Sequence, residues 1–438
     1  MAKLAAAAKG FKPASTRVEL ALHLGNAGIP LGKLIYQKDG AREFSQFAYD
    51  AGWRASADFF TVSPDVLNAP GFQQFKPAGR EESCFFHALA DTEPDDWGRR
   101  VIARAHAKAR EKDSSLPALT TLDVLCHVED FSRMGALRLH DTKTYLRTSA
   151  QGRRQTPPLL ELERMLTASR AVEENQETQE DLRYLQGKGT SLGGMRPKCT
   201  VLDEDGFLAM GKFPSVKDER SITRGEVLAL QLAKLAGIDV ARARVQMVGA
   251  IPVAIIRRFD RTAEDGRIPY MSGTTLLQAK RGEERAYTEV IDELRGISQD
   301  FQKDARELWR RLVFNHLITN VDDHLHNIGL LYVGRKQWTL SPAFDLNPFP
   351  DKDRESKTWL SEDTGPITSV DQLMGQAARF ELATTQDALK VLGEVVKAVQ
   401  QWRTLATSSA IGLTQQELAA FAPAFEHEAL VEALQLLA

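Results

Sequence analysis

The chain has 438 residues, 43% of them apolar and 26% charged, the balance of an ordinary globular protein with room for two or three domains. A net charge of -3 gives no global field toward nucleic acid or a membrane surface, and no apolar run approaches the length of a bilayer span. The three cysteines, Cys84, Cys126 and Cys199, are far apart and odd in number, and none falls in a C-x-x-C pair. That weighs against a disulfide framework or a cysteine zinc site and favours a reducing compartment, with the cytoplasm as the expected location. The apolar part of the first residues, Leu4 to Ala8, is too short for a signal-peptide core.

The first predicted elements are strands. Val18, Leu20, Leu22 and Leu24 alternate with Glu19, Ala21 and His23, the period of a half-buried strand. Gly25 to Gly28 turns, Leu31 to Tyr36 pairs back, Lys38-Asp39-Gly40 turns again, and Glu43 to Tyr49 closes a β-meander. After Phe85 to Asp91 comes Glu93-Pro94-Asp95-Asp96-Trp97-Gly98, which reads as the start of a basic helix from Arg99 to Lys112. Asp95 and Asp96 suit that helix N-terminus, and the basic residues are read as a solvated face. Phe131 to Leu139 is a turn into a strand, with Gly135 at a tight passage. The polar run Arg147 to Pro158, ending in Pro157-Pro158, marks a boundary, so the predicted domains are 1–155, 156–260 and 261–438. Leu159 to Gln186 is predicted helical, with the charged stretch Glu173 to Glu180 facing solvent.

A glycine-rich stretch follows, GKGTSLGGMRPK from Gly187 to Lys198. Its glycines let backbone amides wrap a phosphate. Cys199 to Leu202 and Phe207 to Phe213 form a predicted hairpin, so the layout is that of a kinase N-lobe rather than of a Walker A loop, which would end in G-K-[ST]. Lys212 stands late in the return strand, where a lysine that clamps phosphates belongs; a surface lysine is the bland alternative. The next helix runs from about Ile222 to Leu235, with Gly237 after its end. Glu226 in its first turn either pairs with the strand lysine or simply favours the dipole. Ile238 to Ala250 and Pro252 to Ile256 are two more predicted strands, leading into Arg257-Arg258-Phe259-Asp260-Arg261, where Asp260 reads as structural.

The chain then becomes helical. Leu294 to Asn320 is one long predicted segment whose Trp309, Leu312, Val313, Leu317 and Ile318 mark a buried stripe. Asn320, Asp322, Asp323, His324, His326 and Asn327 crowd into the next eight residues. Ile328 to Val333 and Gln337 to Leu340 form a hairpin that returns Asp345 toward them. Two carboxylates and an amide oxygen are hard ligands suited to Mg2+. The five-residue step from Asp322 to Asn327, with a later Asp after a hairpin, has the logic of a kinase catalytic loop: a base, then two metal ligands. The histidines also admit a zinc or manganese site, which fits that spacing less well; Asp323 reads as structural. Pro350 to Pro366 is polar, with the composition of a mobile segment, and Ser369 to Ala438 is helical without chemistry.

N-x-D-D-H-x-x-N followed by a hairpin and P-x-F-D resembles the HipA-type serine/threonine kinases, the toxin halves of bacterial type II toxin–antitoxin pairs. The string S-L-G-G-M-R-P-K resembles that family's phosphate loop, S-x-x-G-x-x-x-K, and R-F-D-R resembles its crossing between lobes. The L-G-K-L strand, Leu89 with its acidic-proline turn and the following arginine helix, and the stretch Phe131 to Leu139 are similar to segments of that family. The chain departs from the pattern at Arg257 and His326, where the family often carries an acid and a lysine. The resemblance implies an α+β, protein-kinase-like two-lobed fold with an added N-terminal β-rich module and an all-helical C-lobe. It implies ATP and Mg2+. Asp322 would be the catalytic base, and Asn327 and Asp345 would hold the metal. Lys212, Ser191, Gly193, Gly194, Lys198, Arg257, Phe259 and His324 would bind the nucleotide, and Ser191 or Thr190 would be autophosphorylated. It further implies a helix-turn-helix, HipB-like antitoxin, DNA contacted through that complex, and a protein target in translation such as an aminoacyl-tRNA synthetase, with no membrane role. A metal-dependent phosphohydrolase using the Asp/His cluster, a small-molecule kinase of similar fold, and a catalytically dead component of a DNA complex are the alternatives.

Overall fold

A computed structural model describes residues 15–77, 79, 82–148, 161–186, 194–264 and 266–438. The predicted meander is there: Thr16–Leu24, Ile29–Asp39 and Arg42–Tyr49 are successive antiparallel strands. Leu20, Leu22 and Leu24 turn to the core while the residues between them face outward. Gln73–Phe75 and Leu137–His140 add the two edges of a five-stranded sheet.

The second sheet carries the site. Its order is Lys198–Leu202, Leu208–Lys212, Ile251–Arg257, Ala243–Val248, all antiparallel, with Lys198 opposite Lys212. The Ile222–Leu235 helix lies against its Ile251–Arg257 and Ala243–Val248 strands, with Val227, Leu228, Leu230 and Leu232 buried, and ends where Gly237 adopts φ +77°. The Gln337–Leu340 and Gly329–Gly334 hairpin gains a third strand, Tyr270–Ser272, and a second antiparallel pair, Trp359–Ser361 with Gly365–Pro366, follows, so the C-lobe expected to be all-helical also holds two small sheets. Beyond them Val370–Gln376, Thr385–Val399, Trp402–Thr407, Gln415–Phe425 and Glu428–Leu436 are helices.

The N-terminal part is joined to the crossing between lobes by a buried ionic seam. Asp260 has no exposed surface and accepts from Arg258 (Nε, 2.8 Å), Arg261 (Nη1, 2.6 Å) and the Gly135 amide (2.7 Å). Arg258 and Arg261 also donate to the Ser132, Arg133 and Phe131 carbonyls. Gly135 sits at φ +69° with the Tyr270 Cβ 3.2 Å from where its own Cβ would stand, so the passage admits only glycine without strain. Burial works against the Asp260 carboxylate, but the two guanidiniums outweigh it and hold its pKa well below the ordinary range.

Five expectations are corrected. The helical run from Leu159 is two helices, Leu162–Glu174 and Gln179–Leu185, because Asn175 takes a left-handed conformation and Thr178 opens a new capping box with Asp181. The charged stretch between them does not face solvent throughout, since Glu177 is buried against Arg104 (3.5 Å) and Lys108 (3.4 Å). The Asp96–Lys112 helix is correspondingly more than a solvated face, as Arg104 also donates to the Val172 carbonyl at 2.8 Å. Leu294 to Asn320 is likewise divided, into Tyr287–Ile297 and Phe301–Leu317, because Ser298 is extended and Asp300 caps the second helix. Of the predicted strand Ile238 to Ala250, Ala243–Val248 is a strand, while Val240 only bridges to Ala343. The boundary drawn at residue 155 lies outside the described residues.

Candidate active site

The site is built where the second sheet meets the catalytic-loop hairpin. Lys212 ends the Leu208–Lys212 strand, every residue of which is buried. Its ammonium donates to Glu226 Oε1 at 2.6 Å and to Asp345 Oδ1 at 2.7 Å. The two readings left open for Glu226 therefore resolve: it is buried and pairs with the strand lysine. Burial alone would lower the Lys212 pKa, yet the Asp345 and Glu226 carboxylates outweigh it and raise it. Burial likewise pushes Glu226 upward against the pull of Lys212, whereas at Asp345 the Lys212 and Lys198 charges overcome burial and keep the carboxylate ionised.

Asp345 adopts φ +55°, a left-handed conformation that a short polar side chain tolerates. Asn347 donates to Asp345 Oδ1 at 3.0 Å, and the Asn347 amide donates to Asn320 Oδ1 at 3.2 Å, so the segment after the hairpin is tied back to the start of the catalytic loop. Asn320 is fixed in turn by Asn315, to whose Oδ1 it donates at 3.1 Å.

Across this junction lie Asp322 and Asn327. Asn327 ends the Leu325–Asn327 turn and donates its Nδ2 to the Asp322 carbonyl at 2.9 Å. That bond orients the amide and leaves its oxygen for a cation. Asp322 is half-buried and takes the Lys357 ammonium on Oδ1. Asp323, beside it, is buried: Tyr287 donates to Oδ2 and the Lys357 amide to Oδ1, both at 2.7 Å. Burial pushes its carboxyl up to about 6, against the hydrogen bonds that favour ionisation. His324 is held toward the neutral form by burial, with Asp322 acting against that; its Nδ1 is buried without a hydrogen-bond partner. His326 stands with its ring centroid 5.8 Å away.

The glycine-rich side is described from Gly194 onward; Thr190, Ser191 and Gly193 lie outside the described residues. Gly194 has φ +112°, and its Cβ would meet the Lys198 Nζ at 2.6 Å. Lys198 is buried, 3.1 Å from Asp95 Oδ2. Asp95 does cap the Asp96–Lys112 helix, accepting from the Gly98 amide at 2.7 Å, but it also takes this lysine. The Arg257 guanidinium stacks 3.2 Å over the Phe207 ring and reaches Asp205 at 3.4 Å, so its side chain is spent on the hairpin turn. Phe259 is half-buried between Phe344 and Tyr270, with ring centroids 5.2 and 6.2 Å away.

The donor set fits Mg2+ and a polyphosphate. Asp345 and the Asn327 oxygen are hard ligands, and Lys212 and Lys198 supply the positive charge that phosphates need. Among the described residues no three His, Cys, Asp or Glu side chains converge to hold a metal by themselves. Asp345 and Asn327 would therefore share the ion with phosphate oxygens and water, as Mg2+ sites commonly do. The residues that sequence reasoning missed are Asn347, Tyr287, Thr358 and Lys357, which carry no motif and act through position.

Residues 190–403 match the HipA-like C-terminal domain. Two curated proteins are similar over part of the chain. Y4dM of Sinorhizobium fredii, provisionally named a kinase, is 30% identical over 189 residues, 39% of this chain and 46% of its own. A Haemophilus influenzae protein with the same provisional kinase name is 23% identical over 188 residues, 37% of this chain and 55% of its own. The chain thus spans about half the length of these relatives. Among solved structures, HipA from the Shewanella oneidensis complex of HipA, HipB and operator DNA shares the fold, with a TM-score of 0.62 over 95% of this chain and 96% of that one, at 15% identity. Residues 190–403, which hold Lys212, Glu226, Asp322, Asn327 and Asp345, thus match a HipA-like C-terminal domain, within an α+β fold that the chain shares with HipA.

Proposed function

We propose that this protein is an ATP-dependent kinase of the HipA type, transferring the γ-phosphoryl group of ATP to a serine or threonine hydroxyl of a protein. The observation that carries the reading is Lys212 bridging Glu226 at 2.6 Å and Asp345 at 2.7 Å, with Asn347, two residues on from Asp345, bonded to Asn320 at the start of the loop that carries Asp322 and Asn327. Lys212 and Lys198 would hold the phosphates, and Phe259 with the neighbouring backbone would receive the base. Asn327 and Asp345 would hold Mg2+, which when bound neutralises charge on the phosphates. Asp322 orients the acceptor hydroxyl and takes its proton. Catalysis is then mainly positioning and electrostatics.

In the same reading Ser191 or Thr190 is phosphorylated by the protein itself, and the added charge repels bound phosphates. The partner is a helix-turn-helix antitoxin of the HipB kind through which the complex meets DNA; the likeness in fold to a chain solved with HipB and operator DNA supports this. A protein target in translation, such as an aminoacyl-tRNA synthetase, and a cytoplasmic location complete the proposal. Among the described residues no helix is long and apolar enough to cross a membrane.

Calorimetric titration with Mg-ATP tests it. Binding to the wild type, weakened at least tenfold in Lys212→Met and lost on chelation of Mg2+ in parallel with Asp345→Asn, is the expected result. A protein that hydrolyses phosphate esters with a transition metal, and binds no ATP, would instead be the phosphohydrolase.

A further inference from the structure

The segment from Pro350 to Pro366, expected from its polarity to be mobile, is fastened to the catalytic loop. Lys357 donates its backbone amide to Asp323 Oδ1 at 2.7 Å, and the Thr358 hydroxyl donates to the Asp323 carbonyl at 2.7 Å. The Trp359 amide donates to the Arg285 carbonyl at 2.9 Å, and Thr358 and Leu360 are buried. Asp323 is itself held from behind by the Tyr287 hydroxyl. Adjacent carboxylates therefore do different jobs. Asp323 anchors the backbone of this strap, and Asp322 receives the strap's lysine on Oδ1.

That arrangement has no sufficient explanation in stability. The Lys357 side chain is 55% exposed and Asp322 38%, and an ion pair so solvated contributes little to folding. It does answer a chemical need. The loop from Asn320 to Asn327 contains no lysine or arginine. Lys212 and Lys198 act from the sheet on the opposite side, next to Asp345. Lys357 brings a cation to Asp322 itself.

We infer that Lys357 is a positioning residue for the phosphoryl transfer proposed above, and the inference rests on that reading: its ammonium holds Asp322 by Oδ1 and leaves Oδ2 for the acceptor hydroxyl. In the step itself the hydroxyl oxygen bonds to the γ-phosphorus as the bond to the β–γ bridging oxygen breaks. The hydroxyl proton passes to Asp322, and ADP leaves with the electron pair. Lys357 forms no covalent bond. It fixes the rotamer of the base and offsets negative charge gathering between Asp322 and the phosphoryl group.

Two measurements on the full chain test this. Zero-length carbodiimide coupling, read by peptide mass spectrometry, reports the contact whatever the activity; the expected product is a Lys357–Asp322 amide. Phosphate incorporation against ATP concentration then gives kcat and KM for wild type, Lys357→Ala and Lys357→Arg. The alanine variant should lose about 100-fold in kcat, the lower end of what one positioned donor supplies, with KM for ATP nearly unchanged. The arginine variant should recover most of it, which a merely structural role would not produce. Absence of the amide overturns the contact. The amide with an alanine variant within twofold of an active wild type overturns the role and leaves the kinase reading standing. The amide with an inactive wild type overturns both.

Discussion

Replacing Lys212 by methionine should cost far more than the loss of a ligand contact. The ammonium lies 2.6 Å from one carboxylate and 2.7 Å from another, and the Lys212, Glu226 and Asp345 side chains are 11%, 3% and 20% exposed. Methionine keeps the shape of the stem but leaves Glu226 and Asp345 facing each other with no cation between them. Removing one partner of a buried pair costs about 3–5 kcal/mol, because the charge left behind is neither solvated nor paired. In a unit this large, at roughly 2 °C per kcal/mol, melting should fall by about 6–10 °C. Glu226→Gln alone should cost about 1.5–3 kcal/mol, the size of a charge-assisted hydrogen bond. The double variant Lys212→Met with Glu226→Gln should then be more stable than Lys212→Met alone, since one stranded carboxylate is gone. Thermal melting of all three, with nucleotide absent, measures the cycle. Costs that add to within about 0.5 kcal/mol would refute the shared cluster, since independent sites behave that way.

Three further outcomes follow from particular contacts. Asp260→Ala leaves two buried guanidiniums and the Gly135 amide without their acceptor, so it should cost about 3–5 kcal/mol and loosen the N-terminal part, read as new proteolytic cleavage between residues 131 and 136. Asp323, with its carboxyl near 6 when folded and about 3.9 when unfolded, contributes stability that is complete below pH 4 and is lost as the pH rises to 6. Asp323→Asn removes that dependence, so its stability relative to wild type should rise by about 2–3 kcal/mol from pH 4 to 6.5, and parallel pH profiles would contradict the burial argument. Gly225→Ala places a methyl 2.7 Å from the Phe421 ring, and the resulting overpacking between the Ile222–Leu235 and Gln415–Phe425 helices should cost about 1–3 kcal/mol in denaturant unfolding.

Local pattern carried much of this molecule. Alternation alone gave Thr16–Leu24, and the five-residue spacing of Asp322 and Asn327 survives as a direct hydrogen bond. The pairing of Lys212 with Glu226 was legible only as one of two readings, because a glutamate read into a first helical turn has a local use whether or not a lysine faces it; the helix starts at Ile222 and puts Glu226 beyond that turn. Helix breaks were harder to see. Asn175 and Ser298 stop their helices through backbone conformation, the first inside a charged stretch and the second where Leu294, Ile297 and Phe301 keep a helical spacing. Least legible were contacts that join distant stretches. Nothing in the composition of 350–366 says that its backbone is bound by Asp323 or that Lys357 lies on Asp322. Lys198 and Asp95 are about a hundred positions apart, and only the close approach of the Asp96–Lys112 helix to the glycine-rich side pairs them.

The central claim, that Asp322 serves phosphoryl transfer from ATP, is tested most directly by intact mass after incubation of protein, shown to be unphosphorylated at the start, with Mg-ATP. A gain of one phosphate, mapped to Ser191 or Thr190 and absent from Asp322→Ala, is the predicted result. No gain in the wild type, in protein that ATP does not stabilise against melting, would contradict it.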